Sequence, residues 1–282
     1  MTYHNIHGLY LDDDTLYVGY FHHGMDVIDL KDFSVTNYKG GHGTAGTISD
    51  NNVFSICKTR TGAIYVGTIY GLNLFNPKDG TFTIVPELFN VNVNDIMEDS
   101  RGMVWVASND RGLYCHVSST GEWTNHPISD KVSGSANVRT TSLNEDNKGN
   151  IWISTEGGGA IVHDPFKDTF VTYTTNDGLP SNVVHKVLNG KNGRMWISTN
   201  KGLTEFDPES GSFYSHTHYN GLLSNQFNYK SGIETSDGKL YFGSIGGLIG
   251  LDPEASLKTQ QIPSVVITRF DLFNREIRPT DE

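Results

Sequence analysis

The sequence predicts an all-β fold, a β-propeller of four-stranded blades, on three observations. A turn ending in glycine with a large aromatic three residues later recurs at Gly62/Tyr65, Gly102/Trp105, Gly149/Trp152, Gly193/Trp196 and Gly238/Tyr241. A divergent first copy has Asp14 and Tyr17, and the six aromatics are separated by 48, 40, 47, 44 and 45 residues. A second glycine follows each aromatic by six or seven residues: Gly24, Gly71, Gly112, Gly159, Gly202 and Gly247. That period matches one propeller blade.

Each element follows in order. The Gly-to-aromatic turn joins a first strand to a second, here termed A and B. Short β-branched runs around a central aromatic, such as Ala63 to Gly67 and Asn150 to Ser154, read as strand B. The second glycine marks the B–C turn, where positive φ is needed. Strand C ends near Asn76-Pro77, Asp164-Pro165, Asp207-Pro208 or Asp252-Pro253, since proline cannot donate to a ladder. A small turn such as Lys78-Asp79-Gly80 leads to strand D, as at Thr81 to Val85. One such sheet cannot bury both faces, so radial stacking is required, with the repeat-locked aromatics filling gaps between blades.

Six repeats in 282 residues fit either a six-bladed ring or a fragment of a seven-bladed one. The net charge of −11 and the lack of basic runs argue against nucleic acid as a partner. No apolar stretch reaches a membrane span, and residues 1–8 carry no signal-peptide pattern. Cys57 and Cys115 form no CxxC pair and read as buried apolar residues.

Strand order places the B–C turns and D–A connections on one rim. The other rim is short and stereotyped, whereas the B–C segments vary, so this face is the candidate ligand-binding surface. Its residues are Phe21, His22, His23, Tyr70, Asn109, Asp110, Arg111, Glu156, Asn200 and Lys201. Aromatics there suit a sugar's apolar face, and the polar groups suit its hydroxyls. No catalytic residue, metal site or cofactor is assigned. Gly41 to Gly46 matches GxGxxG formally, but a strand follows it where a dinucleotide site needs a helix. His216 and His218 would share a strand face, and His22-His23 occupy a turn, yet neither pair supplies a third ligand. Asp99, Asp146 and Asp237 recur at turns and read as turn residues.

Asp177-Gly178-Leu179-Pro180-Ser181-Asn182, followed by Gly193-Arg194-Met195-Trp196-Ile197-Ser198-Thr199, resembles the two-component regulator propeller repeat. Asn220 to Asn228 and then Gly238 to Gly243 look like the last propeller repeat of that family. Ile262 to Phe270 resembles the opening strand of the Ig-like Y_Y_Y domain, which divides the chain into a propeller at 1–261 and a truncated Ig-like segment at 262–282. The resemblance implies the periplasmic sensor region of a Bacteroides-type hybrid two-component histidine kinase and response regulator. It implies an oligosaccharide ligand, signalling through the Ig-like domain, and a homodimeric receptor held in the membrane by segments outside this sequence. The family usually carries two seven-bladed propellers, and the six repeats depart from that. Two other functions compete: a propeller lyase or glycosidase, and a protein–protein scaffold.

Overall fold

The structure, a computed structural model, describes residues 4–41, 43–117, 120–128, 138–256, 271–272 and 275–276. Blade 1 holds β1 (Ile6–Asp12), β2 (Thr15–Tyr20), β3 (Met25–Asp29) and β4 (Val35–Tyr38). Blade 2 holds β5 (Val53–Lys58), β6 (Ile64–Thr68), β7 (Gly71–Asn76) and β8 (Thr81–Ile84). Blade 3 comprises β9 (Val93–Glu98), β10 (Val104–Ser108), β11 (Leu113–Val117) and β12 (Glu122–His126). Blade 4 comprises β13 (Thr140–Glu145), β14 (Ile151–Thr155), β15 (Ala160–Asp164) and β16 (Thr169–Tyr173). In blade 5 these are β17 (Val184–Asn189), β18 (Met195–Thr199), β19 (Gly202–Asp207) and β20 (Ser212–His216). Blade 6 shows three strands among the described residues, β21 (Phe227–Glu234), β22 (Leu240–Ser244) and β23 (Gly247–Leu251). Each sheet is an antiparallel meander in chain order, so the fold is a six-bladed β-propeller.

The segment expected to open an Ig-like domain, Ile262 to Phe270, lies outside the described residues. Beyond it, β24 (Asp271–Leu272) and β25 (Arg275–Glu276) pair antiparallel.

The repeat-locked aromatics do what the register predicts. Tyr17, Tyr65, Trp105, Trp152 and Trp196 are all buried. Each packs on the following blade: Tyr17 with Ile56 and Val66, Tyr65 with Ile96 and Val106, Trp105 with Leu143 and Ile153. Trp152 packs with Val187 and Ile197, and Trp196 with Leu240 and Phe242. Trp123, which falls off the repeat, also packs between blades, edge-on to Tyr65 at 6.3 Å.

Turn carboxylates lock two of these tryptophans. Asp99 accepts from the Arg101 and Met103 amides (both 2.9 Å) and from the Trp105 indole (3.0 Å). Asp146 does the same for the Lys148 and Asn150 amides and the Trp152 indole. Burial alone would raise the Asp99 carboxyl, but the Trp105 indole, the Met103 amide and Arg101 outweigh it and hold it below the usual range. In blade 5 the equivalent position is Gly190, and the Trp196 Nε1 is buried with no hydrogen-bond partner. Trp105→Phe is therefore expected to cost about 1–3 kcal/mol, and Trp196→Phe distinctly less. Urea unfolding of the two variants checks the order, and equal losses would contradict the assigned role of Asp99.

The inner strands pack in succession, β1 on β5, β5 on β9, β9 on β13, β13 on β17 and β17 on β21. The remaining boundary, β21 to β1, is far looser and is a cleft. Leu9 and Leu11 on its blade 1 side, and Ile233 and Leu248 on blade 6, are each more than 60% exposed. Tyr241, the sixth repeat-locked aromatic, is only partly buried and lines this cleft.

Candidate functional site

The B–C turns and D–A connections do share one rim. The Gly24 amide donates to Asn51 O (2.8 Å), Asn109 to Asn92 O (2.9 Å) and Glu156 to Arg139 O (2.9 Å). The variable residues stand around this face in separate groups, on blades 1 to 5. The Phe21 ring packs at a tilt against His22, with centroids 3.9 Å apart, and His22 takes a φ of 67°. Tyr70, Asp110, Arg111, Asn200 and Lys201 are exposed, while His23 and Asn109 are half-buried. Glu156 pairs with Arg139 at 3.2 Å, both well exposed. The face therefore distributes these residues rather than gathering them into one pocket.

What the fold gathers is a cavity of about 790 Å³ where the central channel meets the cleft. Its walls come from inner strands of five blades: His7, Phe54 and Ser55, Asp95, Lys186, and Asn228 to Gly232. His7 and Phe54 are the second residues of β1 and β5, which places them at the rim end of the channel. Phe21 meets both, with ring centroids 5.6 Å from His7 and 6.4 Å from Phe54. Glu156 reaches the cavity electrostatically, acting on Tyr229 and on His185. Thus Phe21 touches the lining of this cavity, and none of the sequence-predicted rim residues forms part of the lining itself.

Its chemistry centres on one carboxylate between two ammonium groups. Asp95 accepts from the Ser55 hydroxyl at 3.0 Å and the Leu143 amide at 2.9 Å. Lys230 lies 3.2 Å from Asp95 and donates to Phe54 O (3.0 Å) and to Asn94 O. Lys186 donates to Leu143 O at 3.1 Å and lies 3.9 Å from Asp95. Burial works to raise the Asp95 carboxyl, but Lys230, Lys186 and the two hydrogen bonds prevail and hold it below the ordinary range. Burial lowers Lys230, against the pull of Asp95 and with the help of Lys186. His7 is lowered by burial and by Lys230, so it stays a neutral donor–acceptor. Burial, then the Asp95 and Glu156 carboxylates, push the Tyr229 phenol up. Lys230 sits at a bulge of β21 with φ 56°, which re-aims its side chain into the channel.

These lining residues escape a reading confined to variable loops, yet the strands carried a signal. Gly8, Ser55, Asp95, Ser142 and Lys186 pair with Gly19, Gly67, Ala107, Ser154 and Ser198, the same register in five blades. A charged residue at a position otherwise held by glycine or serine marks a channel layer.

Other candidates resolve as structure. Gly41 to Gly46 lies in the connection from β4 to β5, with a strand after it. His216 ends β20 and stacks on Trp196 at 5.5 Å, whereas His218 starts a 3-10 turn and bonds to Asn225. The two do not share a strand face, because the chain leaves the sheet between them. Cys57 and Cys115 are buried free thiols pushed by burial up to about 11 and about 12.

Comparison with known proteins agrees with this architecture. The family model described as "Two component regulator propeller" matches residues 87–110, 133–157 and 178–201. Those segments hold the A and B strands of blades 3, 4 and 5. A curated relative, "Histidine kinase P4" of Formosa agariphila, is 26% identical over 97% of this chain and 21% of its own length. The chain thus spans about a fifth of that protein. The extracellular domain of a putative hybrid two-component system from B. thetaiotaomicron superposes with a TM-score of 0.63 at 22% identity. That match covers 99% of this chain and 44% of the other. Virginiamycin B lyase from Staphylococcus aureus shares the fold as well, with a TM-score of 0.62 at 11% identity over 88% of this chain and 84% of the lyase. At such identities the structural likenesses speak for the fold alone. The family model thus matches the inner strands of three successive blades, and the same repeat builds the other blades of the propeller.

Proposed function

We propose that this propeller is the extracytoplasmic ligand-sensing part of a hybrid two-component histidine kinase, and that its ligand is a glycan-derived oligosaccharide. The observation that carries the reading is the cavity at the rim end of the channel. Its volume falls in the usual range for small-molecule sites, about 300–1,000 Å³. It combines aromatic walls from Phe54 and Tyr229 with Asn228, Ser231, His7 and the Asp95–Lys230 pair. Such a mixture suits a sugar, which presents apolar ring faces and hydroxyl edges. The rim groups around Phe21 and Glu156 extend it for a longer chain of sugars. Among the described residues no helix is long and apolar enough to cross a membrane. Signal transfer through an Ig-like domain after residue 261, a periplasmic location and a homodimeric receptor complete this reading.

Calorimetry of the chain, and of the whole sensor region that contains it, against plant and host oligosaccharides tests the proposal. Binding of one panel member, weakened at least about tenfold by Tyr229→Ala or Asn228→Ala, is expected. Silence across the panel in the whole sensor region would sink it. Turnover of a member, abolished by Glu156→Gln, would instead assign a lyase or glycosidase. A second reading, contact with another protein, is favoured by the exposed Leu9, Leu11, Ile233 and Leu248 along the cleft. A size change on mixing with a candidate partner, lost in Leu9→Ser/Leu11→Ser, would support that reading.

A further inference from the structure

Away from the cavity, His126, His163 and Asp168 bring one donor atom each within 4.8 Å of one another. His126 ends β12 of blade 3, His163 lies on β15 of blade 4, and Asp168 is in the turn that follows β15. The cluster therefore bridges two blades. From these donors we infer a site for a divalent cation of the zinc class, held by two imidazoles and one carboxylate, with the remaining position open to water.

The geometry is close to what such an ion needs. His126 Nδ1 lies 3.0 Å from Asp168 Oδ1, and His163 Nε2 lies 3.9 Å from the same oxygen. Ligands about 2.0–2.2 Å from a tetrahedral zinc are separated by roughly 3.3–3.6 Å, and all three donors already lie within 4.8 Å of one another, so shifts of about an ångström would seat it. The burial gradient suits a site that keeps an open position: His163 is 1% exposed, the His126 side chain 20% and Asp168 69%. His163 turns its Nε2 toward Asp168, and that nitrogen is the one offered to the ion. Mixed nitrogen and oxygen donors favour zinc-like ions over calcium or magnesium, which prefer all-oxygen sites.

The site needs neither the oligosaccharide cavity nor signalling, so its test stands apart from the proposed function. Zinc chloride titrated into the metal-free 282-residue chain should bind with one equivalent and raise the melting temperature. Cobalt(II) should give the visible absorption of a low-symmetry nitrogen/oxygen site. Trp105, with ring centroids 5.9 Å from His126 and 5.4 Å from His163, should report binding of copper(II) by quenching. His126→Gln and Asp168→Asn should each weaken zinc by at least about tenfold, the size that even an outer-shell change produces. Asparagine is the choice at position 168 because it tolerates the φ of 51° there. Affinity should fall with pH as protons compete for the imidazoles. No zinc-dependent melting shift, or equal binding by both variants, would overturn the site and leave a hydrogen bond between two blades.

Discussion

Asp95→Asn is expected to lower stability by about 3–5 kcal/mol, the usual loss when one partner of a buried charge cluster is removed. The carboxylate lies between Lys230 and Lys186 and accepts from Ser55 and Leu143. Those contacts join blades 2, 3, 4, 5 and 6 at one point of the channel. With Asp95 neutral, two ammonium groups face each other in a desolvated space with backbone carbonyls as their main acceptors. Lys230→Met in the Asp95→Asn background should recover at least about 1 kcal/mol, since coupled neighbours are not additive. The sign with pH follows from the depressed carboxyl. Unfolded Asp95 protonates near its ordinary value of about 3.9, folded Asp95 at a lower one. Its contribution is complete above the unfolded value and is lost as pH falls through the folded one. Urea unfolding between pH 7 and pH 2 should therefore show the gap between wild type and Asp95→Asn narrowing only below about pH 4. A gap independent of pH would assign the loss to packing.

The repeat was legible because it is local chemistry written six times. Turn glycines, β-branched runs and terminal prolines each depend on neighbours a few residues away. So Trp105, Trp152 and Trp196 could be placed between blades, and turn roles given to Asp99 and Asp146, without coordinates. The cavity was less legible because it depends on which side chains point down the axis. That requires the register of each inner strand, and the bulge at Lys230 breaks the register in blade 6. Variation in the loops drew attention to Phe21, Tyr70 and Arg111, which the fold spreads around a ring. The His126–His163–Asp168 cluster was further out of reach, since its members are 37 and 5 residues apart and meet only across two blades.

The cleft gives the second large effect, through a contrast between equivalent positions. Trp152→Ala should cost about 3–5 kcal/mol, because the indole is buried on Val187 and Ile197 of the next blade and its removal leaves a cavity. Tyr241→Ala occupies the same place in the repeat and should cost only about 1 kcal/mol, because the face it meets is a partly open cleft. The difference reports what the following blade contributes, together with the larger ring of Trp152 and its hydrogen bond to Asp146. It also makes Tyr241 a reporter for the cleft. Were Leu9, Leu11, Ile233 and Leu248 covered in the intact receptor, the cost of Tyr241→Ala there should rise toward that of Trp152→Ala. Melting curves of both variants, in this chain and in the longer receptor, would then separate a cleft left open for ligand from one closed by protein.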